Sequence, residues 1–487
     1  MRIRLKVLIF AALMFTFLTG FSVSAESGEV KSIELIAKSD TAVSVKYNLA
    51  ASTQSERNEL KKATIIAYVN EQEAWRIRLV DTDSNHTSIA VLKNLEPDTE
   101  YDVTIQVTYG DGAKAPVSDV FKVRTLADQS KVMGRNIAFG KDAYSDSKIG
   151  NMFGPELLTN GNASWTFFAH DVWSSANNTN DHWAYVDLGK SEYFNRVVIK
   201  FYGCSDKANT TFPYAVGFRL EGSNDASEWT EIKSVTDNDQ RLCDYTFDAV
   251  QYYRYVRIYL TKPYGNDVRL RVSEMEVYSC KGIDGIEGME TAYTVGEGQV
   301  IENYVPKACY NDGTKTDMTG MEYTISSLTP EILSVDGHKV TVLDTGAGKL
   351  EIAAEYGGIT KKSVVDINAA PVAVEKTVLQ DGEGNELPGL SGEAEIAGHV
   401  RCADFTGNGK DLTALICVYD ADGIMIDAAV SEIRTALPQD GSFADIVTGV
   451  ITLPDDITGY KVKLHIIDDF SKLNAYINSP EFEEGSL

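Results

Sequence analysis

The chain has 487 residues, 43% of them hydrophobic, and its 71 acidic residues against 45 basic ones give a formal charge of −26. A balance that acidic repels phosphate, so it excludes a nucleic-acid partner and disfavours binding to anionic membranes. A chain this long is expected to form several domains around separate cores.

In chain order, Arg2, Arg4 and Lys6 precede an apolar run from Val7 to Leu18, and Val23-Ser24-Ala25 supplies a small-residue cleavage site. The apolar run is shorter than the roughly 20 residues a spanning helix needs, so residues 1–25 are expected to be a signal peptide. The protein is therefore expected to be secreted and extracellular, without membrane insertion. Losing those three cations makes the remainder more acidic still.

Beyond the signal, short alternating runs separated by Gly, Asn, Asp and Pro recur, and long helical periodicity is missing. That pattern predicts an all-β chain, a string of β-sandwich modules. In residues 28–127, Ala42-Val43-Ser44-Val45-Lys46-Tyr47 and Tyr101-Asp102-Val103-Thr104-Ile105-Gln106-Val107 alternate as half-buried strands do. Leu95-Glu96-Pro97-Asp98-Thr99-Glu100-Tyr101 resembles the fibronectin type III phrase before its tyrosine corner. Asp128-Gln129-Ser130-Lys131 is a polar linker.

Residues 130–280 carry the densest set of phrases. These are Asn136-Ile137-Ala138-Phe139-Gly140-Lys141, Glu156-Leu157-Leu158-Thr159-Asn160-Gly161-Asn162, and Trp173-Ser174-Ser175. His182-Trp183-Ala184-Tyr185-Val186-Asp187-Leu188-Gly189 and Gly222-Ser223-Asn224-Asp225 before Trp229 follow. Arg254-Tyr255-Val256-Arg257-Ile258 and Ser273-Glu274-Met275-Glu276-Val277-Tyr278 complete the set. In this order they resemble the discoidin family, the coagulation factor V/VIII type C domain, whose bacterial members are mostly carbohydrate-binding modules. The resemblance implies a discoidin-like jelly roll, and a glycan or polysaccharide as partner.

In residues 281–370, Tyr323-Thr324-Ile325-Ser326-Ser327 and Pro330-Glu331-Ile332-Leu333-Ser334-Val335-Asp336-Gly337 resemble a bacterial Ig-like domain of group 2. Ala369-Ala370-Pro371 marks a boundary. Residues 371–487, with strands such as Leu415-Ile416-Cys417-Val418-Tyr419, resemble C-terminal β-sandwiches of some bacterial secreted glycosidases, without a role that follows from it.

Sugars are held by aromatic faces stacked on their apolar C–H surfaces and by charged or amide groups bonding paired hydroxyls. Such groups belong on loops at one end of a sandwich. The resemblance places the variable loops at 145–155, 162–169 extending to His182, 203–214 and 263–269. They supply Trp165, Phe167, Phe168 and His170, then Lys207, Asn209, Phe212 and Tyr214, and finally Tyr264, Asn266 and Arg269 as carbohydrate-binding candidates. Trp165, Phe167 and Phe168 equally suit a plug at the bottom of the sandwich. Trp173, Trp183 and Trp229 coincide with family positions that pack in the core, and Tyr252, Tyr253 and Tyr255 are expected to be scaffold.

The resemblance also implies structural calcium, since hard cations take carboxylate, amide and carbonyl oxygens. Its ligands would come from the Asn160-Gly161-Asn162 turn, the Ser164 hydroxyl, Glu274, and the carbonyls of Leu157 and Ser273. Asn160 stands where the family has Asp, which removes a negative charge and weakens the expected affinity. The same turn is also satisfied by hydrogen bonds alone.

No Gly-x-Ser-x-Gly elbow, His-Glu-x-x-His or phosphate-binding glycine loop occurs, and with 71 acidic residues a carboxylate pair carries no information. The expectation is a non-catalytic carbohydrate-binding protein. The alternatives are an adhesin or scaffold binding a protein partner through its Ig-like modules, and an accessory part of a polysaccharide-degrading system. Of six cysteines, Cys402 and Cys417 flank the turn Thr406-Gly407-Asn408-Gly409-Lys410 and are expected to face each other across a hairpin. Cys204 with Cys243 is the weaker pairing.

Overall fold

A computed structural model of the chain describes residues 30–50, 60, 62–79, 85–110, 112–150, 153–162, 172–177, 181–203, 214–289, 294–392, 394–431, 435–468, 475 and 481–483. Almost every regular element among them is a β-strand, and no helix is long and apolar enough to cross a membrane. The fold is all-β, a string of sandwich modules in two compact units that divide between Lys281 and Gly282.

The first unit opens with seven strands in two antiparallel sheets. One is ordered Val30–Lys38, Val43–Ala50, Asn85–Leu92; the other Gln72–Arg78, Thr64–Val69, Glu100–Thr108, Phe121–Arg124. Alternate residues such as Val43, Val45, Tyr47, Val103, Ile105 and Val107 meet between the sheets. The Tyr101 hydroxyl accepts the Glu96 N–H at 2.7 Å, which ties the strand back to the preceding turn as a tyrosine corner does.

The discoidin-like module follows in the same unit. Its spine is two long antiparallel strands, Trp183–Phe201 and Leu242–Lys262, paired from Trp183↔Tyr259 to Lys200↔Leu242. Strands this long cannot stay flat in a small module. Register shifts between Asp187 and Glu192 and between Phe194 and Arg196, with Gly189 at φ +91°, let the ribbon bend. The two halves of Trp183–Phe201 therefore have different second neighbours. Asp142–Ser145 pairs with residues 184–187, whereas Arg271–Ser279 pairs with residues 194–201. Gly217–Ser223 and Thr230–Val235 extend the Leu242–Lys262 side. Ala184, Val186, Leu188, Val256, Ile258 and Leu260 point inward around the fully buried Trp173. A side-chain period of two then sends Trp183, Tyr185, Asp187, Tyr255, Arg257 and Tyr259 to the outer face.

That geometry corrects part of the sequence reading. Trp173 is a core residue, but Trp183 and Trp229 are only half-buried and lie outside the core. Parity along a strand says that neighbours face opposite ways, and packing decides which set goes inside.

The second unit holds two modules. Within the first, Tyr323–Ser327, Gly346–Tyr356, Ile359–Ala370 and Val295–Gly296 form one sheet, the last joining parallel to Ala369 and Ala370. Tyr304, Leu333, Val340, Leu350 and Ile352 fill its core. In the final module, Cys402 lies in Glu395–Ala403, which pairs with Ala373–Gln380 and Ala444–Val447. Cys417 lies in Asp411–Tyr419, which pairs with Met425–Val430 and Lys461–Ile467. The two strands belong to different sheets rather than one hairpin, and both thiols are free and buried. Burial pushes the Cys402 thiol up to about 12, which leaves it unreactive. Cys243 is also free, and Cys204 lies outside the described residues.

Candidate functional site

Of the carbohydrate-binding candidates, Trp165, Phe167, Phe168, His170, Lys207, Asn209 and Phe212 lie outside the described residues. The other four are described, and two of them meet. The Tyr214 and Tyr264 rings have centroids 4.9 Å apart, inclined at 45°, and the Arg241 guanidinium lies 5.2 Å from the Tyr214 centroid. Tyr264 is 39% exposed, so its ring is presented outward rather than spent on packing. A tight turn holds it. Gly265 adopts φ +61°, a conformation that costs glycine little, and the Asp267 N–H bonds back to the Tyr264 carbonyl at 3.3 Å. Asn266 sits exposed at the tip of that turn.

Arg269 is placed beside them, but its fork is engaged. Its Nε and Nη2 donate to the two carboxylate oxygens of Asp267 at 2.8 and 3.0 Å, and Arg271 approaches the same carboxylate at 2.9 Å. Burial works to raise the Asp267 carboxyl, but the two guanidinium groups outweigh it and hold it down at about 2. Ser175 fastens this end of the module by accepting the Leu270 N–H at 2.9 Å and donating its own N–H to the Leu270 carbonyl at 3.0 Å.

One constellation escaped the sequence reading. His182 is fully buried, with Nδ1 2.7 Å from Asp146 Oδ2, while its Nε2 finds no hydrogen-bond partner among the described residues. Asp146 Oδ1 accepts the Trp183 N–H, Ser147 Oγ donates to Asp146 Oδ2 at 2.7 Å, and the Trp173 indole donates to the Ser147 carbonyl. Asp146 and His182 stand 36 residues apart and no sequence motif links the two, so only the fold joins them.

The residues named for calcium are brought together, apart from Ser164, which lies outside the described residues. A 3-10 turn, Pro155–Thr159, buries Leu157 and delivers Asn160 and Asn162 into the interior. Asn160 Oδ1 accepts the Asn162 N–H at 2.8 Å, and Gly161, at φ +76°, donates its N–H to Glu274 Oε1 at 3.1 Å. Glu274 is fully buried, and its Oε2, the Asn160 Nδ2 and the Ser273 Oγ have no hydrogen-bond partner among the described residues. Burial, reinforced by the nearby Glu276 charge, pushes the Glu274 carboxyl well above the usual carboxylate range. The Gly161 N–H and Lys200 oppose that shift.

Fold and loop end together define a galactose-binding-type β-sandwich in the first unit. Residues 157–258 match the family model for the F5/F8 type C domain, described as a NedA-like, galactose-binding domain, so this region is a discoidin-like module. Solved structures similar to it include chitosan-binding module 1 from a chitosanase/glucanase of Paenibacillus sp. IK-5, at 27% identity. That match covers 30% of this chain and 99% of that one, with a TM-score of 0.25. Another is the lectin domain of lectinolysin complexed with Lewis B antigen, at 25% identity, covering 31% and 99%, with a TM-score of 0.26. A third is a Streptococcus pneumoniae fucose binding module, at 22% identity, covering 30% and 96%, also with a TM-score of 0.26. No curated protein matches the chain.

Proposed function

We propose that this is a secreted, non-catalytic, multimodular protein that holds a glycan at the loop end of its discoidin-like module. The observation that carries the reading is the Tyr214–Tyr264 pair, an outward aromatic surface beside the exposed Asn266 amide, in a region matching a galactose-binding domain model. Aromatic faces take the apolar side of a sugar ring, and the amide completes a hydroxyl contact. The fibronectin type III-like, Ig-like and C-terminal sandwiches serve as spacers.

A structural calcium ion belongs to the same proposal. The buried Glu274 Oε2, without a hydrogen-bond partner among the described residues, is the kind of atom a hard cation satisfies. Glu274, the Asn160 and Asn162 amides, and the Leu157 and Ser273 carbonyls would hold it. The ion would supply the charge that a buried carboxylate lacks, fixing the 157–162 segment.

A second reading, a protein-binding adhesin, draws on the run Ile424, Met425 and Ile426, exposed at the edge strand Met425–Val430 of the last module. A glycan array probed with the full chain, in calcium and in chelator, separates the two. Sugar binding that weakens in Tyr264→Ala supports the first reading. A folded chain that binds no glycan favours the second.

A further inference from the structure

The outer face of the discoidin-like sheet carries rings where a solvated face takes polar side chains. Tyr185 sits at the middle of them. Its ring centroid lies 5.2 Å from Tyr144 and 5.7 Å from Trp183, whose plane is within 9° of its own. Trp229 and Tyr255 stand 5.5 and 5.6 Å away on the other sides. The rings come from three strands and a turn, so the platform is built by the sheet and not by a loop. Tyr144, at its margin, is 48% exposed.

The charges on this face cancel. Arg254 donates two bonds of 2.8 Å to the carboxylate of Asp187. Glu221 accepts from Arg257 at 2.6 Å and from Arg219 at 2.8 Å, with Glu231 4.0 Å from Arg219. Three guanidinium groups thus meet three carboxylates, and Asp142, opposite Asp187, is paired with Lys93, so the ion pairs around these rings cancel on a chain of formal charge −26. A polyanion gains nothing there. A neutral, polyhydroxylated chain gains stacking along the rings and finds hydrogen-bonding groups at their border. The spacing of the ring centroids is on the scale of one sugar residue in an extended polysaccharide, and the rings run both along the strand, from Trp183 to Tyr185, and across to Tyr144 on its neighbour, so together they exceed what a single terminal sugar covers.

We propose that this face is a second glycan platform, taking an extended, uncharged polysaccharide across Tyr144, Tyr185 and Trp183, separate from the loop-end site at Tyr264. The ligand class rests on the carbohydrate reading of the module; the location rests on the face itself.

The test is retention of the full chain on insoluble cellulose, chitin and xylan, read as depletion isotherms, beside array binding of soluble galactose and N-acetylgalactosamine. The expected result is retention by at least one polysaccharide, weakened about tenfold by Tyr144→Ala and restored by Tyr144→Phe, with soluble-sugar binding unchanged. Because Tyr144 is half exposed, its loss leaves the core intact, and an unchanged melting temperature verifies that. Retention insensitive to Tyr144→Ala but lost in Tyr264→Ala overturns the platform while sparing the loop site. So does soluble-sugar binding without retention on any of the three polysaccharides. No glycan binding of either kind overturns both readings. A dimer in sedimentation that Tyr144→Ala dissolves would assign the face to a second copy of the chain instead.

Discussion

The Arg257 guanidinium lies 3.9 Å from the centroid of the Trp229 ring, and its Nε donates to Glu221 Oε2 at 2.6 Å. One planar side chain thus lies over a ring and bonds a carboxylate that is only 5% exposed. Lysine cannot do both at once in the same geometry, because its ammonium is a point charge without a fork. Arg257→Met should cost about 1–3 kcal/mol, the penalty of stripping a partner from a buried charged group, softened because Arg219 still bonds Glu221. Arg257→Lys should recover less than half of that. Urea denaturation of the three proteins checks it, and full recovery by lysine would show that charge alone matters.

Gly161 and Gly140 join the first two modules. A Cβ on Gly161 would stand 2.7 Å from Ala37 Cβ and 2.8 Å from the Phe139 ring, and one on Gly140 would stand 2.6 Å from Ala42 Cβ. Both also have positive φ. Gly161→Ala should destabilise by more than the roughly 1–2 kcal/mol of left-handed strain alone, since overpacking adds to it. Gly265→Ala, with nothing within 4 Å, should show the strain alone. Calorimetry distinguishes them, with an earlier separate transition expected only for Gly161→Ala.

Asp267 gives the stability a sign in acid. Its folded carboxyl is held at about 2, below its ordinary 3.8, so the unfolded chain takes up a proton first as pH falls. Its contribution is complete above about pH 4 and is lost as pH drops through 2. Stability should therefore fall across that window in the native chain, and less steeply in Asp267→Asn. Melting temperatures at about pH 4, 3 and 2 measure the difference in slope, and parallel slopes would contradict the assignment.

If calcium sits at Glu274, adding it at a hundredfold excess over its dissociation constant should stabilise the native chain by about 2.7 kcal/mol. Glu274→Gln should abolish that shift while leaving the chain folded in chelator, because the amide keeps the shape and removes a costly buried acid. An equal calcium response in both proteins would place any ion elsewhere.

Much of this was legible along the chain. The alternation Trp183-Ala184-Tyr185-Val186-Asp187-Leu188 announces a strand, and Asn160-Gly161-Asn162 announces a turn, because both depend on neighbours in sequence. The family position of Trp173 implies the core, and Trp173 is fully buried there. The family positions of Trp183 and Trp229 imply the core, yet both lie on the outer face; for Trp183, period two leaves open which side is covered, and Trp229 sits on a turn that alternation does not govern. Cys402 and Cys417 fell in different sheets, although the turn between them looks like a hairpin. Arg269 carries sugar-binding chemistry in its type, but its partner Asp267 appears only when the turn at Gly265 closes.

The sequence by itself determined the all-β architecture, the location of the discoidin-like module, and the residue types on the loops described at its end. These follow from local periodicity, turn chemistry and short motifs, which act over a few residues. Only the tertiary structure decided that Asp146 meets His182, that Gly161 touches Ala37, and that four rings gather around Tyr185 on the outer face. Those contacts join residues far apart in the chain, and their energy is realised only when the strands have paired and bent over a common core.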